Sequence, residues 1–167
     1  MATDSSKTGF LSKEELETGP GIPSEARRRK GAVAVLECLE DIPCNPCEAS
    51  CKYDAITVGE DITTPPHLIE DNCVGCRSCV PICPGQANFV VDESLPDNRA
   101  TLERINEYRP LPEKGETVIA LDRAGQQLGE AVVTAVKQTK KMDQTATVII
   151  EFPREWSMTA RAIRLKR

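Results

Sequence analysis

The rhythm of apolar and polar positions changes three times along the chain. Residues 1–31 are mostly polar and punctuated by Gly and Pro. Within them, Ser12 and Glu15 of "SKEELE" have the spacing of a capping box, which predicts one short helix, and "GPGIP" at 19–23 is a breaker. Residues 32–92 contain four short apolar runs, "AVAVLE" (32–37), "AITVG" (55–59), "HLIED" (67–71, after Pro65 and Pro66) and "NFVVD" (88–92). Their length and β-branched content predict strands. Residues 93–115 read as a connector. "PDNRATLERINEYRP" has a polar start, then Leu102, Ile105 and Tyr108 at i, i+3 and i+6, which predicts one short amphipathic helix stopped by Pro110. Residues 116–167 turn to "TVIALD", "EAVVTAVK" and "TATVIIEF", separated by "RAG" and "KMDQ", with a further alternating run at Ala160, Ala162 and Leu165. They predict a small antiparallel β-sheet or barrel that hides its own edges.

Composition narrows the class. The chain has 167 residues, enough for one ordinary domain or two very small ones, and only 4% are aromatic. A core built from Val, Ile, Leu and Ala at this size needs staples, and eight cysteines are available. No window approaches 18 apolar residues, so a membrane-spanning helix is excluded and no membrane span is expected. "MATDSSKTGF" lacks the basic and apolar regions of a secretory signal, so a cytoplasmic location is expected, where thiols stay reduced and bind metals rather than pair.

The net charge of −5 provides no global basic field for nucleic acid. Lys137, Lys140, Lys141 and the terminal "RAIRLKR" are basic, but Phe152 and Trp156 are the only aromatics near them, so a nucleic-acid partner is not expected. Trp156 is either a core filler or an interface anchor. "RRRK" (27–30) is either a solvated face or a docking patch for an acidic partner or a nucleotide phosphate. His67, the single histidine, is an ordinary surface or strand residue.

The cysteine region repeats itself. "CNPCEASCKYDAITV" aligns with "CRSCVPICPGQANFV" at an offset of 32, so that Cys44, Cys47 and Cys51 fall on Cys76, Cys79 and Cys83. Cys73 completes C-x2-C-x2-C-x3-C-P in the second half, the iron–sulfur run in which the fourth cysteine serves the other cluster. The counterpart of Cys73 would stand at 41, where the chain has Asp41; the nearest cysteine is Cys38, so the first half reads C-x5-C-x2-C-x3-C. Three thiolates can wrap one cube only through a tight loop, which Gly75 and Ser78 permit. Lys52 stands where the second half has Pro84.

Residues 32–92 resemble the bacterial-type two-cluster ferredoxins. That resemblance implies an α+β fold with a ferredoxin-like pseudo-twofold (βαβ)2 domain. It also implies two [4Fe–4S] clusters, one held by Cys38, Cys44, Cys47 and Cys83, the other by Cys51, Cys73, Cys76 and Cys79. Cys38 has an alternative reading as a buried free thiol beside a three-iron cluster. Together with "GIP" and the β-rich tail, "LECLEDIPCNPCEASC" looks like the ferredoxin-like subunits of multi-subunit FAD-dependent amino-acid dehydrogenases, of the opine, proline or hydroxyproline type, in anaerobes. This implies a hetero-oligomer with a flavoprotein subunit that carries FAD or FMN, since no dinucleotide motif or P-loop occurs in this chain. The domain organisation expected is an N-terminal arm (1–31), the two-cluster domain (32–92), a connector with a short helix (93–115) and a small β-domain for subunit docking (116–167). Zinc fits the triple run poorly, because structural zinc prefers two C-x2-C pairs or Cys with His. A radical-SAM enzyme needs C-x3-C-x2-C, the reverse order. With one His and scattered carboxylates, no catalytic residue is assigned. The function expected is one-electron transfer, within a dehydrogenase complex or as a free-standing ferredoxin serving several enzymes.

Overall fold

The computed structural model describes residues 5–166. Residues 1–4 of the start "MATDSSKTGF" and residue 167 of the basic C-terminal run lie outside them. Helices are short: α1 (Ser5–Thr8), α2 (Lys13–Glu17), α3 (Glu25–Arg28) and α4 (Pro46–Ala49). Strands are β1 (Val33–Leu36), β2 (Ile56–Thr57), β3 (His67–Leu68), β4 (Asn88–Asp92), β5 (Arg99–Ile105), β6 (Thr117–Leu121), β7 (Gln127–Lys137), β8 (Thr147–Pro153) and β9 (Ala162–Leu165). The capping box forms as its spacing predicts: Ser12 N–H donates to Glu15 Oε2 at 2.7 Å and Glu15 N–H to Ser12 Oγ at 3.2 Å.

Seven strands form one antiparallel sheet in the order β1-β4-β5-β8-β7-β6-β9, and β2 pairs with β3 alone. The two pairs of the cysteine region match by the 32-residue offset. β1 runs antiparallel to β4 with Val33 opposite Val91, and β2 to β3 with Ile56 opposite Leu68. β1 and β4 are apolar at nearly every position because both their faces are covered. Val35, Phe89 and Val91 join a cluster with Val118, Val133, Val148, Ile150 and Phe152. Ala34, Leu36 and Val90 join a second cluster with Ile56, Leu68, Val80, Cys47 and Cys79.

Three expectations are corrected. The connector helix over 93–115 does not form; β5 occupies that segment between β4 and β8. Leu102 and Ile105 suggested a helical stripe only because both faces of β5 are buried, Ala100 and Leu102 in one cluster and Ile105 in the other. Tyr108, the third member of that stripe, is 77% exposed. Asp97 and Asn98 both have positive φ (56° and 53°), which turns the chain back as a hairpin rather than starting a helix. Second, the boundary at 115/116 cuts through one sheet. β8 pairs with β5 along seven residues, so the tail shares its core with β1 and β4. Third, of the sheet and the barrel the tail takes the sheet, and its edges are not hidden: among the described residues, hydrogen bonds close no barrel. β1 and β9 remain edge strands, and β9 is only four residues long, a common way to blunt an edge.

The N-terminal segment is stitched down. Leu36 N–H donates to Gly21 O (2.9 Å), Leu68 N–H to Pro20 O (3.0 Å) and Ser24 N–H to Glu70 Oε2 (2.6 Å). Of "RRRK", Arg28 pairs with the buried Glu93 at 2.6 Å. Arg27 donates to the carbonyls of Glu70, Gly31, Ala32 and Cys73. Arg29 and Lys30 alone are exposed. The run is therefore half structural staple, because a guanidinium fork can satisfy several loop carbonyls at once. Trp156 is part-buried against the main cluster, 6.4 Å from the Phe152 ring centroid. Its indole lies where a side chain at Gly129 would sit, with an added Cβ falling 2.4 Å from it.

Candidate metal centres

All eight cysteines are unpaired thiols. They lie on two loops that follow β1 and β3, and on the segments leading into β2 and β4. Gly75 makes the second loop possible. Its φ is +66°, and an added Cβ would fall 2.5 Å from Ala32 O, so the loop presses on the residue before β1. In the first loop the tight turn is made by α4, with Pro46 at its start.

The thiols gather in two groups. Cys51, Cys73, Cys76 and Cys79 line one cavity, together with Ala34, Tyr53 and Arg77. Cys51 comes from the first repeat and the other three from the second. Around the other group, burial pushes the Cys38 thiol up, and the neighbouring Cys83 and Cys44 push it further. Burial likewise raises Cys47, with Cys83 and Cys44 adding to it. Cys83 thus sits among the first-repeat cysteines. Cys79 is pushed up to about 12, by burial first and then by Cys73 and Cys76. Thiols this buried and crowded lose their protons only where a cation offsets the charge, as a bound metal does.

Backbone amides are aimed at sulfur, two of them in the same repeat symmetry. Ala55 N–H donates to Cys51 Sγ and Ala87 N–H to Cys83 Sγ, both at 3.3 Å, and Ala34 N–H donates to Cys73 Sγ at 3.4 Å. Ser78 Oγ lies 3.5 Å from Cys76 Sγ. Among the described residues, no group of three or more His, Cys, Asp or Glu is arranged to hold a single metal ion. An all-sulfur set with amide donors on the sulfurs fits an iron–sulfur group.

Residues 42–87 match the family model of the 4Fe-4S dicluster domain. The chain carries a 4Fe-4S ferredoxin-type domain. The match supports iron–sulfur binding and electron transfer for this segment. It covers seven of the eight cysteines and begins after Cys38. No solved structure matches the chain. Among the described residues, no helix is long and apolar enough to cross a membrane.

The structure adds residues that the sequence did not single out. Asn88 is buried at the start of β4; its Nδ2 donates to Cys79 O at 3.0 Å, and its amide partly offsets the upward push that burial gives the Cys47 thiol. It therefore stands beside a cysteine of each group. A polar residue opening an otherwise apolar strand was the available signal. Arg27 fixes the Cys73 loop through that residue's carbonyl. Its place in a basic run hid this role.

Proposed function

We propose that this chain is an electron-transfer subunit holding two [4Fe–4S] clusters. Cys38, Cys44, Cys47 and Cys83 would hold one, and Cys51, Cys73, Cys76 and Cys79 the other, in a ferredoxin-like pseudo-twofold unit. The observation that carries this reading is the cavity where Cys51 joins the three cysteines of the opposite repeat. When bound, the clusters supply reversible one-electron transfer. The chain's own residues do the rest. The cysteines hold the iron, and the amides of Ala34, Ala55 and Ala87 stabilise thiolate charge. The apolar cluster of Val33, Ala34, Leu36, Val80 and Val90 keeps water from the space between the two groups.

The partner we propose is a flavoprotein dehydrogenase of the amino-acid type in a cytoplasmic hetero-oligomer, with FAD or FMN on that subunit. Exposed apolar side chains beside the cysteine loops, Ile42, Tyr53, Val74 and Ile82, support docking close to the clusters.

Two measurements test this. In Cys83→Ser, iron and the EPR signal of the first-repeat cluster should fall while the other survives, and Cys51→Ser should do the opposite. Loss confined to the cluster of the mutated run would reject the crossed ligation. Native purification should bring down a flavin-containing chain; a stable monomer that reduces unrelated acceptors well would favour a free-standing ferredoxin.

A further inference from the structure

The two cysteine loops differ in charge at one equivalent position. Arg77 stands between Cys76 and Ser78, and Asn45 stands at the matching place in the first loop. Arg77 has φ +72°, a conformation costly for a residue with a Cβ, and it lines the cavity with the four cysteines. What holds it there comes from the sheet. Its Nε lies 2.8 Å from Glu103 Oε2, an ion pair whose carboxylate is only 3% exposed. Lys137 Nζ approaches the same oxygen at 3.2 Å, and Thr147 Oγ1 donates to Glu103 Oε1 at 2.8 Å. Two cations share one carboxylate, so Glu103 does not fully cancel the charge of Arg77, which lines the cavity.

No residue of the first loop itself supplies such a cation; Arg123 and Arg161 lie beyond it, paired with Glu37 beside Cys38. Asn45 is neutral, and the three-residue lengthening between Cys38 and Cys44 adds exposed Glu40 and Asp41 instead. Residues 37–92 carry ten Asp and Glu against two Lys and Arg, so Arg77 is one of only two cationic side chains in the region.

Resting on the two-cluster reading above, we propose that Arg77, positioned by Glu103, makes the Cys51/Cys73/Cys76/Cys79 site the more easily reduced of the two. Adding one electron makes either site more negative, and a fixed positive charge favours that state where it is nearest. A single electron supplied by a partner, or by dithionite in the test, then rests at the second site. Electrons passing through the chain run from the Cys38/Cys44/Cys47/Cys83 site towards it. Asn45 and Arg77 thus set the direction.

The test is an EPR-monitored redox titration of the iron-loaded protein. The signals are assigned to sites by the one that Cys76→Ser alters. The wild type should show two midpoints, the higher at the second site. A unit charge within roughly 12 Å at an effective dielectric of about 20 is worth about tenfold in the reduced-to-oxidised ratio. Arg77→Gln should therefore lower that ratio about tenfold at the second site, equivalent to about 59 mV for one electron, and leave the first unmoved. Arg77→Lys should restore most of it. Should Arg77→Gln not retain its iron, Asn45→Arg carries the same test in reverse and should raise the first site's midpoint. Equal shifts at both sites, no shift in either variant, or a higher wild-type midpoint at the first site would each overturn the proposal. Fewer than two reducible centres would instead overturn the function it rests on.

Discussion

Glu37 joins three parts of the chain that are far apart in sequence. It follows β1 and precedes Cys38, and its Oε1 accepts from Arg161 Nε at 2.7 Å while Oε2 accepts from Arg123 Nε at 2.9 Å. The side chains of Glu37 and Arg161 are 7% and 4% exposed. Arg161 also lies over the Phe89 ring, 5.0 Å from its centroid. Glu37→Gln removes the one negative charge between two guanidinium groups and leaves both facing a neutral amide. Breaking a buried pair in this way costs about 3–5 kcal/mol. At about 2–4 °C per kcal/mol for a domain of this size, the melting temperature should fall by about 6–20 °C. Urea unfolding of the iron-loaded protein, followed by circular dichroism, measures the same loss as a lower midpoint at unchanged slope. The cost should depend on pH in one direction. Although burial raises Glu37, Arg161 and Arg123 outweigh it and hold the carboxyl below the ordinary carboxylate value. A carboxyl held low in the folded state contributes stability above its unfolded value, and that contribution is lost as pH falls through the folded value. The gap between wild type and variant should therefore be constant from neutral pH to about 4.5 and close below it. A loss under about 1 kcal/mol at neutral pH, the range of an exposed pair, would refute the reasoning, as would a gap that widens in acid.

Further expectations follow from the same contacts. Gly75→Ala should disturb the second cysteine loop, since the added Cβ meets Ala32 backbone rather than a side chain able to move; it is checked by iron content and by the EPR signal of the second site, with the first retained. Phe152→Ala, at a fully buried position in the main cluster, should cost about 3–5 kcal/mol in urea unfolding. Arg27→Met should release the Cys73 carbonyl and loosen the second site, read as faster iron loss to a chelator, whereas Arg29→Met, which removes only an exposed i,i+4 pair, should leave iron retention unchanged.

The cysteine region was legible because it depends on local order. Ligand spacing, the 32-residue repeat and the four strand runs are short-range features, and the strands formed where those runs stand. The capping box at Ser12 and Glu15 is equally local. The segment 93–115 was misread for the opposite reason. Leu102 and Ile105 are apolar because β5 lies between two other strands with both faces covered, a condition that is set by its neighbours. Its hairpin signal was weak as well, since Asp97 and Asn98 are followed by Arg99 rather than Gly.

The chain by itself determined which atoms are available for metal chemistry, how tightly each loop must turn, and that the two halves are copies of one plan. These are properties of residue type and spacing, and they survive without any partner strand. The grouping of Cys51 with Cys73, Cys76 and Cys79 was implied by the family resemblance, but only the tertiary structure places them round one cavity, extends the sheet of the cysteine region with the tail, and pairs Arg77 with a carboxylate 26 residues away in sequence. Each of these requires the ends of long loops to meet, and burial of apolar faces and of ion pairs brings them together. That burial depends on the whole chain at once, so no window of the sequence carries it.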